Sequence, residues 1–128
     1  MRSTYQLRYD MRLSAAVTIL FFLLGCGHLA RASECRTIRF NPGATSAKIQ
    51  GAVQPEDQQC FRFGTGKGQS VRLAVQSKSG NVAFTINDVA DNRDRIEFTS
   101  EKKVYELIVY QNLRSVTPDD FTLSLSIR

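Results

Sequence analysis

The 128-residue sequence contains no tryptophan, one histidine, three prolines and three cysteines. The histidine, His28, stands inside an N-terminal stretch that reads as a removable leader. Once that stretch is gone no imidazole remains, which excludes Ser-His-Asp and Cys-His nucleophilic sites and any His-ligated zinc. Outside the leader no run of ten residues carries apolar side chains at helical spacing, so a helical fold is excluded as well. Charge of one sign is also scarce. The formal net charge is +5, but the first 32 residues hold four Arg against one Asp, and the remainder is close to balance at +2. The high isoelectric point is therefore weak support for a nucleic-acid partner.

The leader has three parts in order. Residues 1–12 are polar and basic, and residues 13–25 (LSAAVTILFFLLG) are apolar. That apolar run is shorter than the roughly 20 residues a membrane span needs. Ala30-Arg31-Ala32 then supplies the small-x-small pattern of a signal peptidase site. This order predicts a secretory signal peptide over 1–32, a single domain over 33–128, and a periplasmic or secreted protein. Met11 is an equally good start. Leu23-Leu24-Gly25-Cys26 offers a second reading, a bacterial lipobox with a lipidated Cys26 and an envelope lipoprotein. A small residue usually stands where Leu24 is, so ordinary cleavage fits better.

Export leaves Cys35 and Cys60, an even count for an oxidising compartment. A bridge between them closes a loop of about 25 residues, which the chain-entropy account credits with roughly 3.5 kcal/mol. No C-x-x-C is present, so a redox pair is the weaker reading.

From Ser33 onward the apolar period is two. Ile38 and Phe40, Phe61 and Phe63, Val71 to Val75, Val82 to Ile86, Ile96 and Phe98, Tyr105 to Val109, and Phe121 to Ile127 each alternate with small or polar neighbours. Residues 47–53 are a weaker eighth candidate. Turn residues fall between the runs at 41–43, 54–57, 64–68, 78–81, 88–94 and 117–120. About eight short strands at this spacing predict an all-β fold, a small antiparallel sandwich in preference to a barrel. The same alternation puts Cys35 and Cys60 on outward faces, so that a bridge would staple the first strand to the third over the sheet surface.

Few residues suggest chemistry. Gly64-Thr65-Gly66-Lys67-Gly68-Gln69-Ser70 fails the phosphate-loop spacing and reads as a hairpin turn. Asp88, Asp91, Asn92, Asp94 and Glu97 offer oxygens that calcium favours, but without EF-hand spacing and with Arg93 and Arg95 among them they read as a solvated loop. A glycosidase carboxyl pair would need an apolar, sugar-holding cleft that a Trp-free chain of this size hardly offers. No metal and no cofactor is expected. Arg93, Arg95 and Arg114 are placed in loops, where Arg can anchor an acidic partner site. Tyr110 reads as an edge aromatic.

The order of motifs carries a resemblance. Ile38-Arg39-Phe40-x-x-Gly43-x-x-Ser46-Ala47-x-x-x-Gly51 is followed by Cys60-Phe61-Arg62-Phe63, Gly68-Gln69-Ser70-Val71-Arg72-Leu73, Asn81-Val82-Ala83-Phe84, and Tyr105 to Gln111. The chain closes on Phe121-x-Leu123-x-Leu125-x-Ile127. Residues 36 to 127 resemble the periplasmic inhibitors of goose-type lysozyme and their bacterial relatives. The fold of that group is similar to the pre-peptidase C-terminal domain, a jelly-roll-like β-sandwich. The resemblance implies a non-enzymatic binding protein whose Arg-bearing loops enter a lysozyme cleft, with Arg114 foremost and Arg93 or Arg95 assisting. The alternative is an exported sandwich module that binds another envelope ligand (glycan, peptide or protein) and inhibits no lysozyme.

Overall fold

In the computed structural model residues 34–128 are described. The expected leader, with His28 and the alternative lipidation residue Cys26, lies outside them. The described residues contain nine strands and no helix: β1 (Arg36–Thr37), β2 (Ser46–Val53), β3 (Gln58–Thr65), β4 (Ser70–Ser77), β5 (Val82–Ile86), β6 (Ala90–Arg93), β7 (Arg95–Thr99), β8 (Lys103–Gln111) and β9 (Asp119–Ile127). They form two sheets, β1-β3-β8-β5-β6 and β2-β9-β4-β7. Every pairing is antiparallel except the short parallel contact of β1 with β3.

Alternation decides which side chains meet. Val71, Leu73 and Val75 of β4 and Phe121, Leu123, Leu125 and Ile127 of β9 face inward from one sheet. Phe61 and Phe63 of β3 and Tyr105, Leu107 and Val109 of β8 face them from the other. The layers are joined by edge-to-face aromatic pairs, Phe61 with Phe121 at 6.4 Å between ring centroids and Phe98 with Tyr105 at 5.2 Å. Pairs of this geometry add to what burial of area already contributes.

The expected sandwich is present, with one strand more than the apolar pattern showed. Residues 88–94 are not a plain solvated loop, because β6 runs through them as a four-residue edge strand on β5. Its side chains are mostly exposed, so it has no apolar alternation to read. Only its backbone pairing makes it a strand.

The segment 64–70 also differs from expectation. Its two flanking strands lie in different sheets, so it is a crossing between layers and not a hairpin. Gly68 supplies a φ of 78° there. Ser100, the one buried polar residue among those described, knots this crossing to the next. Its Oγ donates to Gly66 O at 2.6 Å and accepts from Gln69 N at 3.2 Å.

The cysteines form the bridge, and on the face the alternation assigned. The β1–β3 register sets Arg36 opposite Phe61 and hence Cys35 opposite Cys60, with Cα atoms 4.4 Å apart. Phe61 and Phe63 are buried on the inner side, so the bridge lies over the outer surface of the sheet.

One glycine is fixed by packing. Gly51 on β2 pairs with Phe121, and a Cβ there would stand 2.9 Å from the Phe121 ring, which is itself buried. Overpacking of this kind costs about 1–3 kcal/mol. Gly51→Ala should therefore lower the melting temperature by about 5 °C or more. An unchanged melt would mean that the ring is free to move aside.

Candidate functional site

Three connections meet at one end of the sandwich. The register sets Val53 opposite Asp119, Gln58 opposite Tyr110, and Val82 opposite Gln111. The turns 54–57, 78–81 and 112–118 therefore share an end, while 66–69 and 100–102 lie at the other.

Asn81 holds the longest of these turns. Its side chain works as a substitute strand partner for Leu113, accepting from Leu113 N at 2.7 Å and donating to Leu113 O at 2.9 Å. Its own carbonyl accepts from Asn112 N at 2.7 Å. Gln111 ties the other arm, donating from Nε2 to Val53 O and to Thr117 O at 2.9 Å each. Within the loop, Thr117 N donates to Ser115 Oγ at 3.2 Å. Ser79 and Asp119 are also hydrogen-bonded across the loop end.

A loop pinned at both arms presents its tip. Leu113 is 69 % exposed and Val116 is 94 % exposed, two of the three large apolar side chains that stand out in solvent among the described residues. Arg114 lies between them. Its Nε is 3.7 Å from Glu56 Oε1, a pair in which both side chains are largely exposed. Such a pair contributes little to stability and lets the guanidinium leave for a better partner.

Glu56 is notable for its backbone. It occupies the third position of the Gln54-Pro55-Glu56-Asp57 turn with φ at 58°, where glycine is favoured. A side chain in that region costs about 1–2 kcal/mol. Glu56→Gly should therefore raise the melting temperature by a few degrees, after the larger entropy of the unfolded glycine is subtracted. A fall would show that the Glu56–Arg114 pair outweighs the backbone strain.

The three arginines do not share one loop cluster. Only Arg114 is on the loop end. Arg93 closes the edge strand β6 opposite Phe84, at the level of Val109. Arg95 opens β7 in the other sheet, opposite Ala74. Both belong to strands because the chain crosses between the layers at Asp94, whose carbonyl accepts from Val75 N at 2.8 Å.

The acidic group is dispersed in the same way. Asp88 sits in the β5–β6 turn with a φ of 65°, Asp91 accepts from Thr85 Oγ1 at 2.6 Å, and Glu97 lies in the other sheet. The hydrogen bond and charge of Arg72, 3.0 Å from the Glu97 carboxylate, outweigh the opposing effect of desolvation and, with a Ser70 hydroxyl at 3.2 Å, hold that carboxyl below the usual carboxylate range. The folded-state value is depressed, so the pair's modest contribution is present at neutral pH and is lost as pH falls through the lowered value.

Tyr110 is not an edge residue. It lies on β8, between β3 and β5, with its hydroxyl 3.2 Å from Thr85 Oγ1 and 3.4 Å from Asn92 Oδ1. Cys35, Cys60 and Glu106 are close enough to suggest a metal group, but both sulfurs are committed to the disulfide.

The sequence does not single out Leu113 or Val116, and it offers Asn81 only as a turn and motif residue, not as the holder of the 112–118 loop. The signal for the first two is an apolar side chain beyond the end of β8, and Val116 is also out of phase with both neighbouring strands.

No family model matches the chain, and no curated protein is a significant relative by sequence. Among solved structures the fold is that of small bacterial sandwiches, which include lysozyme inhibitors and a pre-peptidase C-terminal domain. In particular, the chain is similar to Aeromonas hydrophila PliG, a periplasmic lysozyme inhibitor of g-type lysozyme, at 21 % identity and a TM-score of 0.62, covering 76 % of this chain and 100 % of that one. Salmonella Typhimurium PliG is 17 % identical with a TM-score of 0.61, over 75 % of this chain and 99 % of that one. The pre-peptidase C-terminal domain of a Bacillus anthracis collagenase is 20 % identical with a TM-score of 0.54, over 77 % and 98 %. At these identities the likeness is one of fold.

Proposed function

We propose that this protein is an exported, non-enzymatic binding protein that inhibits a lysozyme-type muramidase through its loop end. The observation that carries the reading is the pinned 112–118 loop, which offers a freely exposed Arg114 between two exposed apolar side chains. The likeness in fold to periplasmic inhibitors of g-type lysozyme supports it. A muramidase cleft carries the two carboxyl groups of glycoside hydrolysis. A planar guanidinium can meet a carboxylate with two parallel hydrogen bonds, and flanking apolar contacts exclude water from the pair.

In this reading Leu113 and Val116 pack against the rim of the cleft and Arg114 enters it. Arg93, on the edge strand at the level of Val109, is the nearer candidate for an assisting cation. Arg95 faces a different surface. The reading includes cleavage after Ala32, so that residues 33–128 act outside the cytoplasm without cofactor or metal.

The test is lysis of cell walls by goose-, chicken- and invertebrate-type lysozymes, each with the purified protein added. Inhibition of at least one at micromolar concentration is expected. Full activity of all three would sink the inhibitor reading and leave the exported sandwich module with another ligand.

A further inference from the structure

We infer that the 112–118 loop is also a substrate-like inhibitory loop for a serine endopeptidase with an acidic primary pocket, and that Arg114–Ser115 is the bond it presents. The inference shares Arg114 with the lysozyme reading but does not rest on it.

The path of the chain carries it. The loop bends at residues 112–113 and again at 116–117, and Arg114 and Ser115 run between the bends without a turn. Both arms are fixed to the sandwich, Leu113 by Asn81 and Thr117 by Gln111. Successive residues of an extended chain turn their N–H and C=O groups to opposite sides. Asn81 holds both of these groups of Leu113 from the protein side, so those of Arg114 turn outward. Among the described residues no hydrogen bond engages the N–H or C=O of Arg114, Ser115 or Val116.

A guanidinium alone would serve any acidic cleft. Unpaired main chain on both sides of it selects a partner that pairs with backbone. An endopeptidase does so: it takes up its substrate as a short added strand and draws the side chain before the cut bond into a pocket. Here that side chain is Arg114, 89 % exposed, and an acidic pocket is the one that accepts it. Ser115, on the far side of the bond, is small. Leu113 and Val116 are exposed on either side, free for apolar subsites.

The hold on both arms makes the loop an inhibitor and not a substrate. Attack by the protease's serine hydroxyl on the Arg114 carbonyl carbon forms an ester and breaks the bond to Ser115. The Ser115 nitrogen leaves as an amine with the proton that the serine gave up. That amine stays beside the ester, because Gln111 keeps Thr117 in place and Asn81 keeps Leu113. It attacks the ester, the peptide bond re-forms, and the serine regains its proton. A loop already held in shape also loses less entropy on binding.

The experiment uses the protein as it accumulates on expression of the full chain. The probes are trypsin and chymotrypsin, each assayed on a chromogenic peptide, with mass spectrometry to locate any cut. Trypsin should be inhibited at micromolar concentration and chymotrypsin should not. Cutting after Arg114 should be about a hundredfold slower than in a linear peptide of residues 110–119. Arg114→Leu should leave the melting curve unchanged, weaken trypsin inhibition about thirtyfold and confer inhibition of chymotrypsin. Arg114→Lys should still inhibit trypsin, because an acidic pocket takes either cation, whereas it should weaken lysozyme inhibition, so the two readings fail separately. Asn81→Ala should speed cutting at the Arg114–Ser115 bond. The inference is overturned if trypsin is not inhibited, or if it cuts after Arg114 as fast as in the linear peptide. It is also overturned if Arg114→Leu inhibits trypsin as well as the parent or gains nothing against chymotrypsin, if Arg114→Lys no longer inhibits trypsin, or if Asn81→Ala is cut no faster.

Discussion

Removing the disulfide with Cys35→Ser and Cys60→Ser together should lower the melting temperature by about 15 °C. The bridge closes a loop of 25 residues. The entropy denied to the unfolded chain corresponds to about 3.5 kcal/mol, and in a domain of this size each kcal/mol moves the midpoint by roughly 4–8 °C. The native state should lose little else, because the bridge lies on the outer face and the core beneath it is filled by Phe61 and Phe63. The check is calorimetry of the parent and the double variant, with the parent's mass two hydrogens lighter before reduction than after. Two alkylatable thiols in the native protein, or a change of only one or two degrees, would contradict the assignment.

On the inhibitor reading, Arg114→Ala should weaken inhibition about thirtyfold. A guanidinium desolvated against carboxylates at the centre of an interface is worth about 2 kcal/mol or more, and each 1.4 kcal/mol is a factor of ten. Arg114→Lys should also weaken it, since an ammonium lacks the planar fork. Val116→Asp should weaken it by a separate route, by placing a carboxylate beside those of the cleft. Lys67→Ala and Lys102→Ala, at the far end, should change nothing. Association rates should fall steeply with salt while dissociation rates change less. If Arg114→Ala inhibits as well as the parent, the assignment passes to Arg93.

The strands that read clearly in the sequence are those with one buried and one exposed face. In β4 and β9 the side chains alternate strictly between core and solvent, so the apolar period and the burial coincide. β6 was illegible because an edge strand with exposed side chains leaves no apolar trace. β1 was placed too far along for a related reason. Ile38 and Phe40 show the alternation, but the ladder itself runs over Arg36–Thr37, continued by Ile38 N donating to Arg62 O.

The candidate sites divide in a similar way. Arg114 was legible as a loop residue because Pro118 and the neighbouring polar residues mark the connection. Its surroundings were not, since Asn81 holds the neighbouring Leu113 from a turn more than thirty residues earlier in the chain. The outer face of the β2-β9-β4-β7 sheet was illegible for the same reason. Lys48, Ser124, Ala74 and Arg95 come from four strands, and only the pairing register sets them in one row. Alternation tells which face a side chain takes and says nothing of which strand lies beside it.

The position of β1 also bears on self-association. β3 is eight residues long, and β8 satisfies only one of its two sides. On the other side the sole cover among the described residues is the two-residue β1, held in place by the bridge. An uncovered strand of that length, with Phe61 and Phe63 close beneath it, is a template on which another chain can add. The disulfide therefore acts as a guard on a sheet edge. In reducing conditions the protein should become prone to concentration-dependent oligomers even well below its melting temperature. Light scattering that rises with reductant, and stays flat when β3 carries a charge or a proline at its free edge, would mark that edge as the site of growth.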